Sequence, residues 1–380
     1  MISDAERDDL LREVEDLDNV IGVAKMSTKA RPVAIVSRKK DEADLDNDQI
    51  VANNASRSTG VLEVGDLHAH AESESEGELD IGMPEAQGNR KNRHRPTQAG
   101  LSGTNINSTA CTMTGIAEVT DPGVSTVERD GVISEGQYVY VFNGHCAARG
   151  GDALFGSSVV QPSPYDGGTR DDRIGGYCGW VPIEDGVQTD YSEATIEDLS
   201  QASTAVHNLG EEYGTEYKRE AYESLIGTEV VNSGRTVGVR RSIVRAVGAT
   251  VPVGYGGGET IRTENAVITK PPEGEPTMSK GGQSGAPVFS EAEDGAGVGV
   301  LYAGSDQATI FATIAATEEL AGVRFLRSDE ELTEDDPGDG GDDGDDEPTP
   351  PDLSWWEWIL RLLRRESDGE SRTPSSARGL

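Results

Sequence analysis

Two short segments of the 380-residue chain combine a residue type that can do chemistry with backbone able to aim it. The first, Tyr138-Val139-Tyr140-Val141-Phe142-Asn143-Gly144-His145-Cys146-Ala147-Ala148, reads as a buried strand that ends on a histidine. A general base must be held rigidly, and the end of a packed strand does that. The second is Gly281-Gly282-Gln283-Ser284-Gly285-Ala286-Pro287-Val288. Its glycines let the backbone bend so that the N–H groups of Gly282 and Ser284 aim at one point. That is an oxyanion hole, which stabilises charge appearing on an acyl oxygen. Alone, a Gly-x-Ser-Gly is commonly a turn and a histidine commonly structural. The pair carries the weight, and a tertiary fold must bring it together.

The elements that would do so are short and β-type. Runs at 115–120, 138–142, 159–161, 193–197, 229–232, 242–246, 250–255, 261–268, 286–289, 297–302 and 309–312 alternate with Gly, Asp and Pro turns. Such spacing predicts an all-β barrel or sandwich over about 101–326, with a first barrel near 101–205 and a second near 225–326. A helix expected at 211–224 separates the halves. Upstream, a capping box (Ser3, Glu6) opens a helix, and β-type runs at 20–26, 32–37 and 60–64 flank a helical stretch near 41–52. That pattern predicts a small α/β domain over 1–70, joined by a polar linker, 71–100. Downstream come a disordered acidic linker, 327–351, and a short amphipathic helix within 352–380.

In this order the His and Ser segments resemble those of the trypsin-like (chymotrypsin-fold) serine peptidases. The chain is most similar to a prokaryotic branch with an Asn-Asn-His-Val-type motif and a small N-terminal domain. The segments 161–168 (Gln-Pro-Ser-Pro-Tyr-Asp-Gly-Gly), 233–238 (Ser-Gly-Arg-Thr-Val-Gly), 299–305 (Gly-Val-Leu-Tyr-Ala-Gly-Ser), 19–24 and 32–40 add to the likeness, which spans about 18–325. It implies two antiparallel β-barrels and a serine endopeptidase. Ser284 would be the nucleophile, His145 the base, and Gly282 and Ser284 the oxyanion hole. The family's third member, an acid, orients the histidine. Aligning Ile196 with the family's apolar position puts Glu193 in that slot, the preferred assignment; matching carboxylate type picks Asp190. Gln283 stands where the family has Asp, and Ala286 where it has Gly. The alternative is a catalytically inert scaffold that binds a peptide or partner. The likeness also offers Cys111 as partner of Cys146, against which two buried, unpaired cysteines are the expectation.

Composition narrows the partners. Against 69 Asp+Glu stand 33 Lys+Arg, a formal net charge of −36. Twelve of the carboxylates fall within 329–347, and removing them still leaves −24, so the acidity is global. Such a surface excludes nucleic acid bound through its phosphates. Only eight of the bases are Lys, a balance like that of proteins from salt-in halophiles. No run is apolar and long enough to span a bilayer, and the first residues lack a secretory pattern, so a cytoplasmic protein is expected. The segment 353–365 is set apart: Trp355, Trp356 and Trp358 with Arg361, Arg364 and Arg365 have the composition of a helix that docks on a membrane surface or a protein. No cofactor and no metal site is expected. His145, Cys146, Cys178 and His207 lack zinc spacing, His68 and His70 read as a solvated pair, and the Asp/Gly run lacks the spaced ligands of a calcium loop.

Overall fold

The computed structural model describes residues 20–25, 32–37, 60–69, 83–256 and 259–333. The first capping box, the stretch 41–52, the acidic run from 334 on and the Trp/Arg segment 353–365 lie outside the described residues. There are two compact units, Met1–Asp335 and Asp336–Leu380, and all described residues fall in the first. It is mainly β.

One sheet carries, in spatial order, the strands Val323–Phe325, Gly115–Val119, Tyr138–Phe142, Ser192–Thr195, Arg173–Trp180, Ser158–Val160 and Thr104–Asn105, with Glu128–Arg129 beside Arg173–Trp180. Its central strand shows why these residues extend. Val139 and Val141 enter one apolar cluster, while Tyr140 and Phe142 enter another. Alternate side chains leave opposite faces of a strand, and here both faces are covered. The strand Arg173–Trp180 has no counterpart among the sequence-predicted runs because its sequence, Arg-Ile-Gly-Gly-Tyr-Cys-Gly-Trp, is broken by glycines. The structure gives two of them a purpose. A Cβ at Gly175 would lie 1.7 Å from the Thr195 carbonyl oxygen, and one at Gly179 would lie 2.5 Å from Glu193 Oε1.

The second sheet runs Glu229–Gly234, Pro287–Ser290, Gly297–Gly304, Thr309–Thr313, Glu259–Lys270, Gly238–Gly256, Gly22–Lys25, Pro32–Val36 and Gly60–Glu63. Because Glu229–Gly234 also pairs with Gly238–Gly256, the first six strands close into a ring. The runs expected at 242–246 and 250–255 are one strand of 19 residues. Gly248, at φ +59°, sits where its register shifts between Ala246 and Ala249, so a bulge replaces the expected break. The N-terminal strands extend this sheet by the antiparallel pairing of Val23 with Thr250. Val33, Ile35, Leu62 and Val64 share one apolar core with Val251, Val253, Ile268 and Ile310 of the ring.

Two expectations for the connections are corrected. From residue 83 the supposed linker packs onto the body. Arg90, 1% exposed, donates to Gly100 O, Ser233 Oγ and His207 O. Burying a guanidinium is costly unless its N–H groups find acceptors, and three acceptors offset that cost here. The segment 211–224 is not an α-helix; its one helical piece is the short 3-10 turn Tyr222–Leu225 at its end. Gly214, at φ +79°, donates its N–H to Gly295 O, and Lys218 N–H goes to Gly297 O, so these amides bond outward instead of along a helix. A short helix, Ile314–Ala321, follows the ring, capped by Thr313 Oγ1 on Ala316 N–H and ended by Gly322 at φ +60°. The chain then returns to the first sheet, Val323 opposite Val119.

Candidate active site

Strand register builds the first half of the site. Ser192 pairs with Phe142, so the residues just outside that pair, Asp190 on one strand and Gly144–His145 on the other, meet at the strand ends. His145 lies in a single wide helical turn, Gly144–Ala148, of the kind that recurs at functional sites. Asn143 Nδ2 donates to Asp190 O at 2.6 Å, and Ser192 Oγ donates to Asn143 O at 2.7 Å. Asp190 Oδ1 accepts the His145 backbone N–H at 3.0 Å while its Oδ2 sits 2.5 Å from His145 Nδ1. The carboxylate therefore fixes both the backbone and the ring of His145. With Nδ1 engaged, Nε2 is the imidazole nitrogen left over, and it is buried with no partner among the described residues.

Glu193, the preferred acid, does not face His145; the carboxylate bonded to that histidine is Asp190. Glu193 is fully buried and receives Arg129 Nε at 2.5 Å on Oε1 and Arg129 Nη2 at 2.9 Å on Oε2. Tyr191 Oη also donates to Oε2, at 2.5 Å. The two carboxylates are three residues apart, an odd number, and alternate side chains on extended backbone face opposite ways, so matching the apolar position could not say which of them faced the histidine.

The second half is the turn before Pro287–Ser290. Gly282 and Gly285 take φ of +80° and +92°, which explains glycine on both sides of Gln283-Ser284. A Cβ at Gly285 would sit 2.1 Å from Thr112 O. The amides of Gly282 and Ser284 have no hydrogen-bond partner among the described residues, whereas Gln283 N–H goes to Lys280 O and Gly285 N–H to Leu301 O. Gln283 is an anchor: its Oε1 accepts from the Thr236 and Val237 amides at 3.0 Å each. Arg235 supports the same turn from below, pairing Nε and Nη2 with Asp166 at 2.6 and 2.7 Å. Burial would raise the Asp166 pKa, but the bonds from Arg235, Ser102 and Ser163 outweigh it and hold the carboxyl below its ordinary range.

Cys111 and Thr112 join the halves. The expectation of unpaired cysteines is corrected: Cys111 and Cys146 are disulfide-bonded, Cα atoms 6.2 Å apart. Cys146 adjoins His145. Thr112, next to Cys111, donates its N–H to Ser284 O at 2.8 Å and its Oγ1 hydrogen to Gly282 O at 2.9 Å. His145 is thus one disulfide and one hydrogen bond from Ser284. Ser284 Oγ, in a residue 1% exposed, also has no partner among the described residues. Tyr255 reaches over from the ring, its ring edge-to-face with His145 at 6.0 Å. Burial, and then the Asp190 carboxylate, push its phenol well above the ordinary range.

Other candidates are dispersed. Cys178 is a buried thiol, its pKa raised by burial and by Glu193. His207 bonds Gln98 and Asn89. Among the described residues the one group of three metal-type donors is Cys111, His145 and Cys146, whose two sulfurs are spent on each other. His68 is described and His70 is not. No described helix is long and apolar enough to cross a membrane.

No family model and no curated protein matches the chain. Solved structures similar to it include serine proteases. Thermobifida fusca Protease A matches at 17% identity and TM-score 0.41, over 61% of this chain and 100% of that one. Cellulomonas bogoriensis chymotrypsin matches at 14% and 0.40, over 61% and 100%. Nocardiopsis protease matches at 16% and 0.39, over 60% and 98%.

Proposed function

We propose that the chain is a serine endopeptidase with two trypsin-like β-barrels and the triad Ser284, His145, Asp190. The observation that carries this is a pair of buried, unpartnered atoms, His145 Nε2 and Ser284 Oγ, on a histidine whose other nitrogen is held by a buried carboxylate. Leaving a buried polar atom unpaired costs about 1–3 kcal/mol. No hydrogen bond joins the two atoms here, on segments tied by a disulfide and by Thr112; the Ser284 Oγ–H to His145 Nε2 bond that activates the nucleophile is one that in such sites tightens as substrate binds.

Asp190 accepts a hydrogen bond from Nδ1–H, so Nε2 is the lone-pair nitrogen that takes the Ser284 hydroxyl proton as Oγ attacks a peptide carbonyl carbon. The carbonyl oxygen becomes an oxyanion and meets the amides of Gly282 and Ser284. Asp190 stabilises the imidazolium. His145 then protonates the leaving amine, and a water deprotonated by Nε2 releases the acyl group from Ser284. A fluorophosphonate probe tests this in molar salt, since a net charge of −36 repels itself when unscreened. Labelling of wild type and none of Ser284→Ala is expected. An unreactive Ser284 in folded protein overturns the proposal.

A further inference from the structure

Strand Gly297–Gly304 is covered unequally on its two edges. Thr309–Thr313 follows one edge to its end, from Gly299 opposite Thr313 to Gly304 opposite Thr309. On the other edge Pro287–Ser290 and its preceding turn reach only Leu301, where Leu301 N–H goes to Ala286 O and Gly285 N–H to Leu301 O. There the Ser284 turn diverges and leaves the edge of Tyr302, Ala303 and Gly304 to another strand. An open sheet edge beside a nucleophile is where an extended peptide adds by main-chain hydrogen bonds. The edge is not open here. His68 N–H donates to Gly304 O and Gly304 N–H to His68 O, both at 3.0 Å, as an antiparallel bridge. On the far side of the same segment, Gly254 N–H goes to Leu67 O and Ala69 N–H to Gly254 O, both at 2.9 Å.

The side chains alternate as those of a bound peptide would. Leu67 and Ala69 are 5% and 2% exposed, in one apolar cluster with Val253, Tyr302 and Ala303. His68 between them is exposed, and a Cβ on Gly254 would come within 2.8 Å of its Nδ1. In this register a peptide continuing two residues past the one opposite Gly304 arrives opposite Tyr302. That is one position from Leu301, where the Ser284 turn is bonded. Such a peptide runs toward the turn that carries Ser284.

We propose that Leu67–Ala69 is an internal peptide lodged in the substrate edge of the site, so that the chain in this form is self-occluded. The proposal rests on the peptidase assignment for the meaning of the site, but not for the occupancy of the edge. It also names the substrate class: extended peptides with an apolar residue and a small residue flanking an exposed one, as Leu-His-Ala does here.

The test uses the full chain as wild type, as His68→Pro, which removes the N–H given to Gly304, and as Leu67→Gly, which empties the apolar pocket. A fluorescent peptide of sequence Asp-Leu-His-Ala is titrated into each, with amide hydrogen exchange at Gly304 and across the ring strands read in parallel. At least tenfold tighter peptide binding to either variant than to wild type is expected, with Gly304 deprotected and the ring strands still protected. Equal binding to wild type and to a variant whose Gly304 amide has been released overturns the proposal, as does a Gly304 amide already unprotected in wild type. Fluorophosphonate labelling of the same proteins separates the two ideas. A variant that binds peptide while Ser284 stays unreactive keeps the occluded edge and removes the peptidase assignment.

Discussion

Asp190 and Glu193 are three residues apart and both buried, yet their surroundings differ in one respect: whether the hydrogen bonding is complete. Glu193 faces Arg129, whose Nη1 and Nη2 also donate to Asp121 O and Ala321 O, with Tyr191 supplying another donor. Every group there has found its partner. Burial lowers the Arg129 pKa and its hydrogen bonds to Glu193 outweigh that, so the guanidinium is held above its ordinary value. Asp190 instead faces a histidine whose far nitrogen is unsatisfied. The two histidines repeat the contrast. Both nitrogens of His207 are engaged, by Gln98 and Asn89, while His145 has one engaged and one waiting. A completed buried network fixes the fold; an incomplete one, held in place by complete ones, is available for chemistry.

The largest expected effect breaks the incomplete side. Asp190→Asn should lower kcat by about 10³–10⁴-fold, because the amide no longer holds the tautomer that leaves Nε2 free to accept a proton. Thermal unfolding should move little by comparison. A kcat within tenfold of wild type would move the acid role away from Asp190. Glu193→Gln should do the reverse. It leaves Arg129 buried without its counter-charge, a loss of about 3–5 kcal/mol in chemical denaturation, while kcat of the folded fraction stays near wild type. If Glu193→Gln abolishes turnover at unchanged stability, the contrast between the two carboxylates collapses.

A pH titration sharpens the comparison of histidines. Burial, with Arg90 and His94 nearby, lowers the His207 pKa to about 4 from its ordinary 6.5. The unfolded chain therefore takes up a proton there before the folded chain does. Stability from this group is complete above about pH 6.5 and is lost as pH falls toward 4, by about 3 kcal/mol at most. Unfolding free energies of His207→Gln should fall less steeply over that window than those of wild type. Parallel slopes would show that His207 does not titrate there. The smallest effect belongs to the strut between the halves. Thr112→Val keeps the shape and the backbone bond to Ser284 but removes the donor to Gly282 O and the acceptor of the Arg235 N–H. We expect kcat about tenfold lower with KM unchanged; a change confined to KM would place Thr112 in binding rather than in holding the turn.

Much of this was legible in the chain because it is local. A β-type run ending on His145 and glycines around Ser284 are backbone requirements, and these residues meet them wherever they lie. Charge also sums without a fold. The continuous apolar run of Tyr138–Phe142 marked it as a buried strand, and both of its faces are covered. The strand Arg173–Trp180 escaped because its glycines are set by distant neighbours, Thr195 and Glu193, and not by local propensity. The segment 211–224 misled in the opposite direction: its helix-forming residues are overruled by bonds to Gly295 and Gly297.

The sequence by itself determined which residue types were present for acyl chemistry and which backbone conformations the nucleophile turn could adopt. Only the tertiary structure decided that Asp190 and not Glu193 meets His145, that Cys111 and Cys146 are joined, and that Leu67–Ala69 lies along the edge beside Ser284. Each of these depends on register and on contacts between residues tens to hundreds of positions apart. No local propensity encodes such distances, because the choice between two partners is made by whichever packing satisfies the most buried groups at once.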